Sequence, residues 1–133
     1  MPSSYREVTI DDILEYHRAL FLDRNETPAP LIFRDRLESA VARPNTTVFG
    51  EEAFPTLALK AAALLHGIVT GHPFLDGNKR AGLGGTLLLL GQNGVTTWPT
   101  PDEVVDLTIA VATGELREVE EIAARIRTLF ALD

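Results

Sequence analysis

The chain contains no cysteine, one methionine and one tryptophan among its 133 residues. Without cysteine there is no disulfide framework, no thiolate metal site and no cysteine nucleophile. Basic residues are also scarce, with 12 Lys and Arg against 19 Asp and Glu and a formal charge of −7. Such a balance repels a nucleic-acid backbone. Any anionic ligand must therefore be held by a local cluster of positive groups. Long apolar runs are missing too. The stretch "LALKAAALLHGIV" holds Lys60 and His66, and "TLLLL" is far shorter than the roughly 20 residues that a membrane helix needs. The N-terminal "MPSSYREVTI" lacks the charged-then-apolar pattern of a signal peptide. A cytoplasmic protein is expected, with residues 1–133 forming one domain, since this length suits a single core.

What is present reads as helices. Thr9 and Asp12 form a start signal before "IDDILEYHRALFL", where Ile13, Tyr16, Leu20 and Phe21 recur at helical spacing. "DRNETPAP" interrupts that helix, "LIFRDRLESAVAR" supplies a second, and Pro44-Asn45 stops it. "TTVFGEEAF" is β-prone, turns at Gly50 and predicts a short flap over residues 45–54. Residues 55–70 are apolar nearly all round, which predicts a buried helix. Another apolar helix is expected from about Lys79 to Gln92, ending at Asn93-Gly94. Thr100-Pro101-Asp102-Glu103 combines a cap, a proline at the first helical position and an acid at the third, and Thr113-Gly114 closes that helix. "ELREVEEIAARIRTLF" ends the chain with an apolar stripe. The expected fold is all-α, about six helices with one β flap and a central buried helix pair.

Between the two most apolar helices lies "GHPFLDGNKR", residues 71–80. A segment that serves only the core does not combine His, Asp, Asn, Lys and Arg with two glycines. The loop feeds directly into a helix, whose first amides lack intrahelical partners and whose macrodipole is positive at that end. A phosphate is stabilised there. Gly77 allows close approach to the backbone. Asn78 offers a cap or an amide donor, and Lys79 and Arg80 add charge, the arginine as a planar fork suited to phosphate oxygens. A carboxylate beside an anion makes sense as a Mg²⁺ ligand, which casts Asp76 in that role. His72 supplies an imidazole, a side chain suited to a general base. The set fits phosphoryl or nucleotidyl transfer. It is not a Walker P-loop, because five residues separate Gly71 from Gly77 and Asn precedes Lys.

Other features read as structural. His66 on an apolar helix reads as a hydrogen-bonded core residue, with a zinc site from His66, His72 and Asp76 as a weaker alternative. His17 sits on an ordinary amphipathic helix and receives no function. Gly82, Gly84 and Gly85 fall inside a helix, where each costs about 1 kcal/mol relative to Ala, and they read as sites of close helix packing. Trp98 and Pro99 read as a loop packed against the domain.

"HPFLDGNKR" resembles the signature of the Fic/Doc superfamily, and Lys79 makes it most similar to the death-on-curing branch, the toxins of toxin–antitoxin pairs. The likeness extends to "NGV" after the motif helix and to "DLTIAVATGE" at 106–115, and is weakest over residues 22–54. The resemblance implies His72 as catalytic base, Asp76 as Mg²⁺ ligand, and Gly77, Asn78, Lys79 and Arg80 as the ATP phosphate cradle. It implies Phe74 as a buried anchor and residues 45–54 as a flap that aligns a target by strand-like pairing. By the same resemblance the activity is Mg-ATP-dependent phosphorylation of a Ser/Thr hydroxyl on elongation factor Tu, inhibiting translation, and the partner is a Phd-like antitoxin. AMP-transferring members carry a further arginine three residues after the motif arginine, where this chain has Leu83, and a glycine at Lys79. Both departures favour phosphate over AMP transfer. Nucleotidyl transfer (AMP or UMP) and a non-enzymatic binding module are the alternative readings.

Overall fold

The computed structural model describes residues 5–133, and its regular structure is almost all helix. Its elements run α1 (Ile10–Leu22), α2 (Arg34–Ala42), a 3₁₀ turn (Arg43–Asn45), β1 (Thr47–Val48), β2 (Glu51–Glu52), α3 (Leu57–Gly71), α4 (Asn78–Gln92), α5 (Pro101–Thr113) and α6 (Val119–Phe130). No helix among the described residues is long and apolar enough to cross a membrane.

The expected start signals are in place. Thr9 and Asp12 form a reciprocal capping box on α1, and Thr100 and Glu103 form another on α5, with Pro101 at its first position. Two boundaries differ from expectation. The second helix begins at Arg34 rather than Leu31, because the Ile32 and Phe33 amides both donate to the Pro73 carbonyl, at 2.8 and 2.9 Å. A helix there would have to surrender those bonds. The third helix starts after Thr56, whose hydroxyl accepts from the Leu59 amide at 3.2 Å, so Pro55 lies outside it.

Helix α3 is the axis of the fold. Nine of its residues, from Ala58 to Val69, are buried, and α2, α4, α5 and α6 all pack around it. Its partner α4 approaches closely through the glycines. A Cβ on Gly82 would lie 2.7 Å from Val69 Cγ2, and one on Gly85 would lie 2.5 Å from Ile13 Cδ1. Close packing of α4 against α3 and α1 therefore accounts for residues that weaken an isolated helix. Trp98 stays half exposed but meets Phe130 edge-on at 5.9 Å between ring centroids.

The flap forms as a two-stranded antiparallel ribbon with Thr47 opposite Glu52 and Val48 opposite Glu51. Phe49 and Gly50 turn it, both at positive φ (52° and 81°), as a primed hairpin turn requires. Its attachment to the body is one interaction that the sequence did not suggest. Lys60 of α3 is 5 % exposed and donates to the Glu52 carboxylate at 2.7 Å and to the Pro44 carbonyl at 3.2 Å. The Tyr5 ring lies 5.2 Å from the same ammonium. Burial, with Glu7 and Glu52 nearby, pushes the Tyr5 hydroxyl up to about 12.

Candidate active site

The loop from α3 to α4 begins in a strained conformation. His72 caps α3 at φ 48°, ψ 55°, a left-handed geometry that a non-glycine residue adopts only when its surroundings enforce it. The surroundings do so at successive points. The Pro73 carbonyl accepts from both Ile32 and Phe33, and the Leu75 amide donates to the Pro30 carbonyl at 3.0 Å. Leu31 and Phe74 form an isolated antiparallel bridge between those contacts. The Asn78 side chain closes the loop on itself, with Oδ1 accepting from the Phe74 amide at 2.9 Å and Nδ2 donating to the Phe74 carbonyl at 2.8 Å.

The Phe74 ring is 3 % exposed and acts as the anchor. It stacks on the His17 imidazole with 3.6 Å between ring centroids and 9° between planes. His17 Nε2 in turn donates to the Asp76 carbonyl at 2.8 Å. Burial pushes the His17 imidazole below its usual range, while the contact with Asp76 pulls the other way. It is thus a neutral ring fixed in the tautomer that this donation demands. Gly77 sits against the same ring at φ +85°, where a Cβ would lie 3.1 Å from Nε2.

With the loop pinned, its remaining groups converge. His72, Asp76, Gly77, Asn78, Lys79 and Arg80 line one cavity of about 180 Å³, with Leu75 at its edge. His72, Asp76, Lys79 and Arg80 are exposed. The first intrahelical bond of α4 runs from the Ala81 amide to the Gly77 carbonyl, at 2.9 Å. The amides of Asn78, Lys79 and Arg80 precede it, so they point out of the positive end of the helix. All six residues expected from the sequence therefore meet at one place. The Asn78 side chain is taken up by its two bonds to Phe74, which leaves its backbone amide at the open end of the helix.

Asp76 Oδ1 accepts from the Gly77 amide at 2.7 Å. No group of three His, Asp or Glu among the described residues is placed to hold a metal. His66, His72 and Asp76 thus do not come together as a zinc site among the described residues. A Mg²⁺ shared with a polyphosphate requires only one or two carboxylates, and Asp76 fits that donor set. His66 is a structural residue. Its Nδ1 accepts from Arg43 at 2.8 Å, and burial, then the arginine, hold it below its usual range.

A larger cavity, about 530 Å³, opens between the N-terminal segment and α2, but its polar lining is Glu7, Thr9, Glu38 and Asn45, with no cation. Size therefore does not select the site; the convergence of charge and backbone donors does. Sequence reasoning missed His17 and the segment 30–33. A signal for His17 was available, because Ile13, His17 and Phe21 fall at i, i+4 and i+8 and all are buried. The segment 30–33 carried none, since its role is backbone pairing.

A family model described as the Fic/DOC family matches residues 7–90, which include the loop and most of α4. The chain is similar to Toxin Doc of Mycolicibacterium smegmatis, 40 % identical over 92 residues, 68 % of this chain and 70 % of that protein. It is also similar to Protein kinase doc of Escherichia phage P1, 37 % identical over 95 residues, 71 % of this chain and 73 % of that protein.

Proposed function

The chain belongs to the Fic/DOC family, and from that premise we propose that it is a Doc-like toxin that transfers the terminal phosphate of Mg-ATP to a Ser or Thr hydroxyl of a protein target. The observation that carries this reading is the one cavity lined by an imidazole, a carboxylate and the open end of α4.

In the proposed reaction His72 takes the proton of the acceptor hydroxyl as its oxygen attacks the terminal phosphorus. The bond to the bridging oxygen of the leaving ADP breaks in the same displacement. The amides of Asn78, Lys79 and Arg80 and the two cationic side chains bear the charge that spreads over the phosphate oxygens. Mg²⁺, when bound, would neutralise charge on the polyphosphate, and Asp76 is the residue that would hold it. The His17 and Phe74 rings and the Asn78 side chain position the loop without touching substrate. The flap at 45–54, tied down by Lys60, presents a free ribbon edge on which a target segment would pair. Elongation factor Tu is the target proposed from the family resemblance, with inhibition of translation in the cytoplasm as the outcome and a Phd-like antitoxin as the restraining partner.

The test is incubation of the purified chain with elongation factor Tu, Mg²⁺ and ATP labelled at either the α- or the γ-phosphorus. Label from the γ position alone on the target, lost in His72→Ala, is the expected result. Label from the α position would instead establish nucleotidyl transfer, and no label in either case would leave a binding module.

A further inference from the structure

A separate cavity of about 250 Å³ lies between α2 and α3. Arg36 and Ser39 of α2, and Arg43 just after it, line one wall; at spacings of three and four residues they share a face. Gly67 and Gly71 of α3 form the floor, where a Cβ on Gly67 would lie 3.0 Å from Ala40 Cβ. The helices therefore meet closely beneath the arginines, and no α3 side chain fills the space at those two positions. The Arg36 guanidinium lies 3.9 Å from the Phe33 ring centroid, and its Nη1 donates to the Gly71 carbonyl at 3.0 Å. Arg43 is held by Nη1 too, through His66 at 2.8 Å. A guanidinium has five N–H donors, and the remaining nitrogens of both arginines are unengaged among the described residues. Neither arginine forms an ion pair among those residues, although Asp35 lines the same cavity. Two held guanidiniums with spare donors and no counter-charge suit an anion.

Position and charge decide which anion. Gly71, which Arg36 holds, immediately precedes His72. Arg43 opens the 3₁₀ turn that leads into the flap, and its guanidinium lies 5.7 Å from the Phe54 ring, just past β2. The cavity thus lies between the root of the flap and the residue beside the proposed base, and it shares no lining residue with the loop cavity. A target segment laid along the flap with its hydroxyl at His72 passes over it. The floor is the C-terminal end of α3, the negative end of a helix dipole, which offsets part of the arginine charge. That balance favours a singly charged carboxylate over a polyphosphate. We infer that the cavity is an acid-selecting subsite for the protein target, in which an Asp or Glu of the segment carrying the acceptor hydroxyl lies between Arg36 and Arg43. The inference rests on the proposed function and deepens it by naming a feature of the target. In an extended segment alternate side chains share a face, spaced about 7 Å apart. The acid therefore stands two or four residues from the acceptor, not one or three.

Ser39 is exposed and stands between the arginines on α2, so the site can be filled from within. Ser39→Glu places a carboxylate there, and Ser39→Gln places the same shape without the charge; both residues are good helix formers. With elongation factor Tu and γ-labelled Mg-ATP, Ser39→Glu is expected to raise KM for the target at least about tenfold with kcat within about threefold, and Ser39→Gln to raise KM less than about threefold. Mass spectrometry then locates the labelled hydroxyl. Replacing the acid two or four residues from it by Gln should raise KM about tenfold for the wild-type chain and change it little further for Ser39→Glu. An acceptor with no acid at those positions, or one KM for all three chains, would overturn the inference while leaving the proposed function standing. A second measurement needs no target. In ¹⁵N NMR of the wild-type chain, N-acetylglutamate amide should shift the Nε signals of Arg36 and Arg43, N-acetylglutamine amide should not, and Ser39→Glu should abolish the shifts. No shift at either arginine would overturn the inference. Shifts at both without label transfer to elongation factor Tu would reduce the cavity to a general anion site, removing the proposed function and the target selection together.

Discussion

Replacing His17 by alanine tests the reasoning about how the loop is held. The imidazole is 2 % exposed, stacks on Phe74, and donates to the Asp76 carbonyl at 2.8 Å. Losing that hydrogen bond costs about 1 kcal/mol. Losing the ring stack costs about 1 kcal/mol, and the unfilled volume adds roughly another 1 kcal/mol. The sum is about 3 kcal/mol, which for a chain of this size lowers the melting temperature by roughly 10 °C. His17→Gln restores a donor at nearly the same reach but not the ring. It should recover about 1 kcal/mol of the loss. Melting curves of the three proteins measure the first effect. A second readout separates a positioning role from a merely structural one. Below their melting temperatures, His17→Ala should bind Mg-ATP roughly tenfold more weakly than wild type, because Gly77 and the α4 amides lose their fixed direction, and His17→Gln should lie between them. A His17→Ala protein that melts within a degree of wild type would refute the stacking and hydrogen-bond argument. One that melts lower but binds Mg-ATP unchanged would refute the link from His17 to the site.

Other expectations follow from separate contacts. Gly85→Ala should destabilise by about 1–2 kcal/mol in denaturant titrations, despite the gain in helix propensity, because its Cβ meets the fully buried Ile13 at 2.5 Å. Glu52→Gln leaves the buried Lys60 ammonium without its counter-charge, whereas Lys60→Met removes the charge. The first should therefore destabilise more than the second, while both speed hydrogen exchange of the flap amides at 47–52. His66 is held below its ordinary value of 6.5 by burial and by Arg43. The unfolded chain therefore takes up the proton first as pH falls, so stability is complete above about pH 6.5 and declines below it. His66→Asn, which keeps an acceptor for Arg43, should give a shallower acid decline in melts taken between about pH 7.5 and 5.5.

The helices and their caps were legible because their causes are local. A capping box needs only Thr9 and Asp12, or Thr100 and Glu103, three residues apart on one chain. The nine-residue motif was legible for the same reason, since a loop and the helix it opens are contiguous. Segment 30–33 shows the limit. Ile32 and Phe33 have a helical pattern in sequence, yet their amides pair with Pro73, forty residues away and visible only in space.

The same division holds at the site. Which groups line the loop cavity was determined by sequence, because His72, Asp76, Lys79 and Arg80 lie within nine residues. How rigidly they are presented was decided by tertiary packing: His17 from α1 beneath the loop, residues 30–33 beside it, and Lys60 from α3 holding the flap. The cavity between α2 and α3 exists only because two helices that begin more than twenty residues apart lie side by side. Chemistry carried by neighbours along the chain can be read from their order, whereas support and shape arise from long-range contacts whose partners no local pattern names.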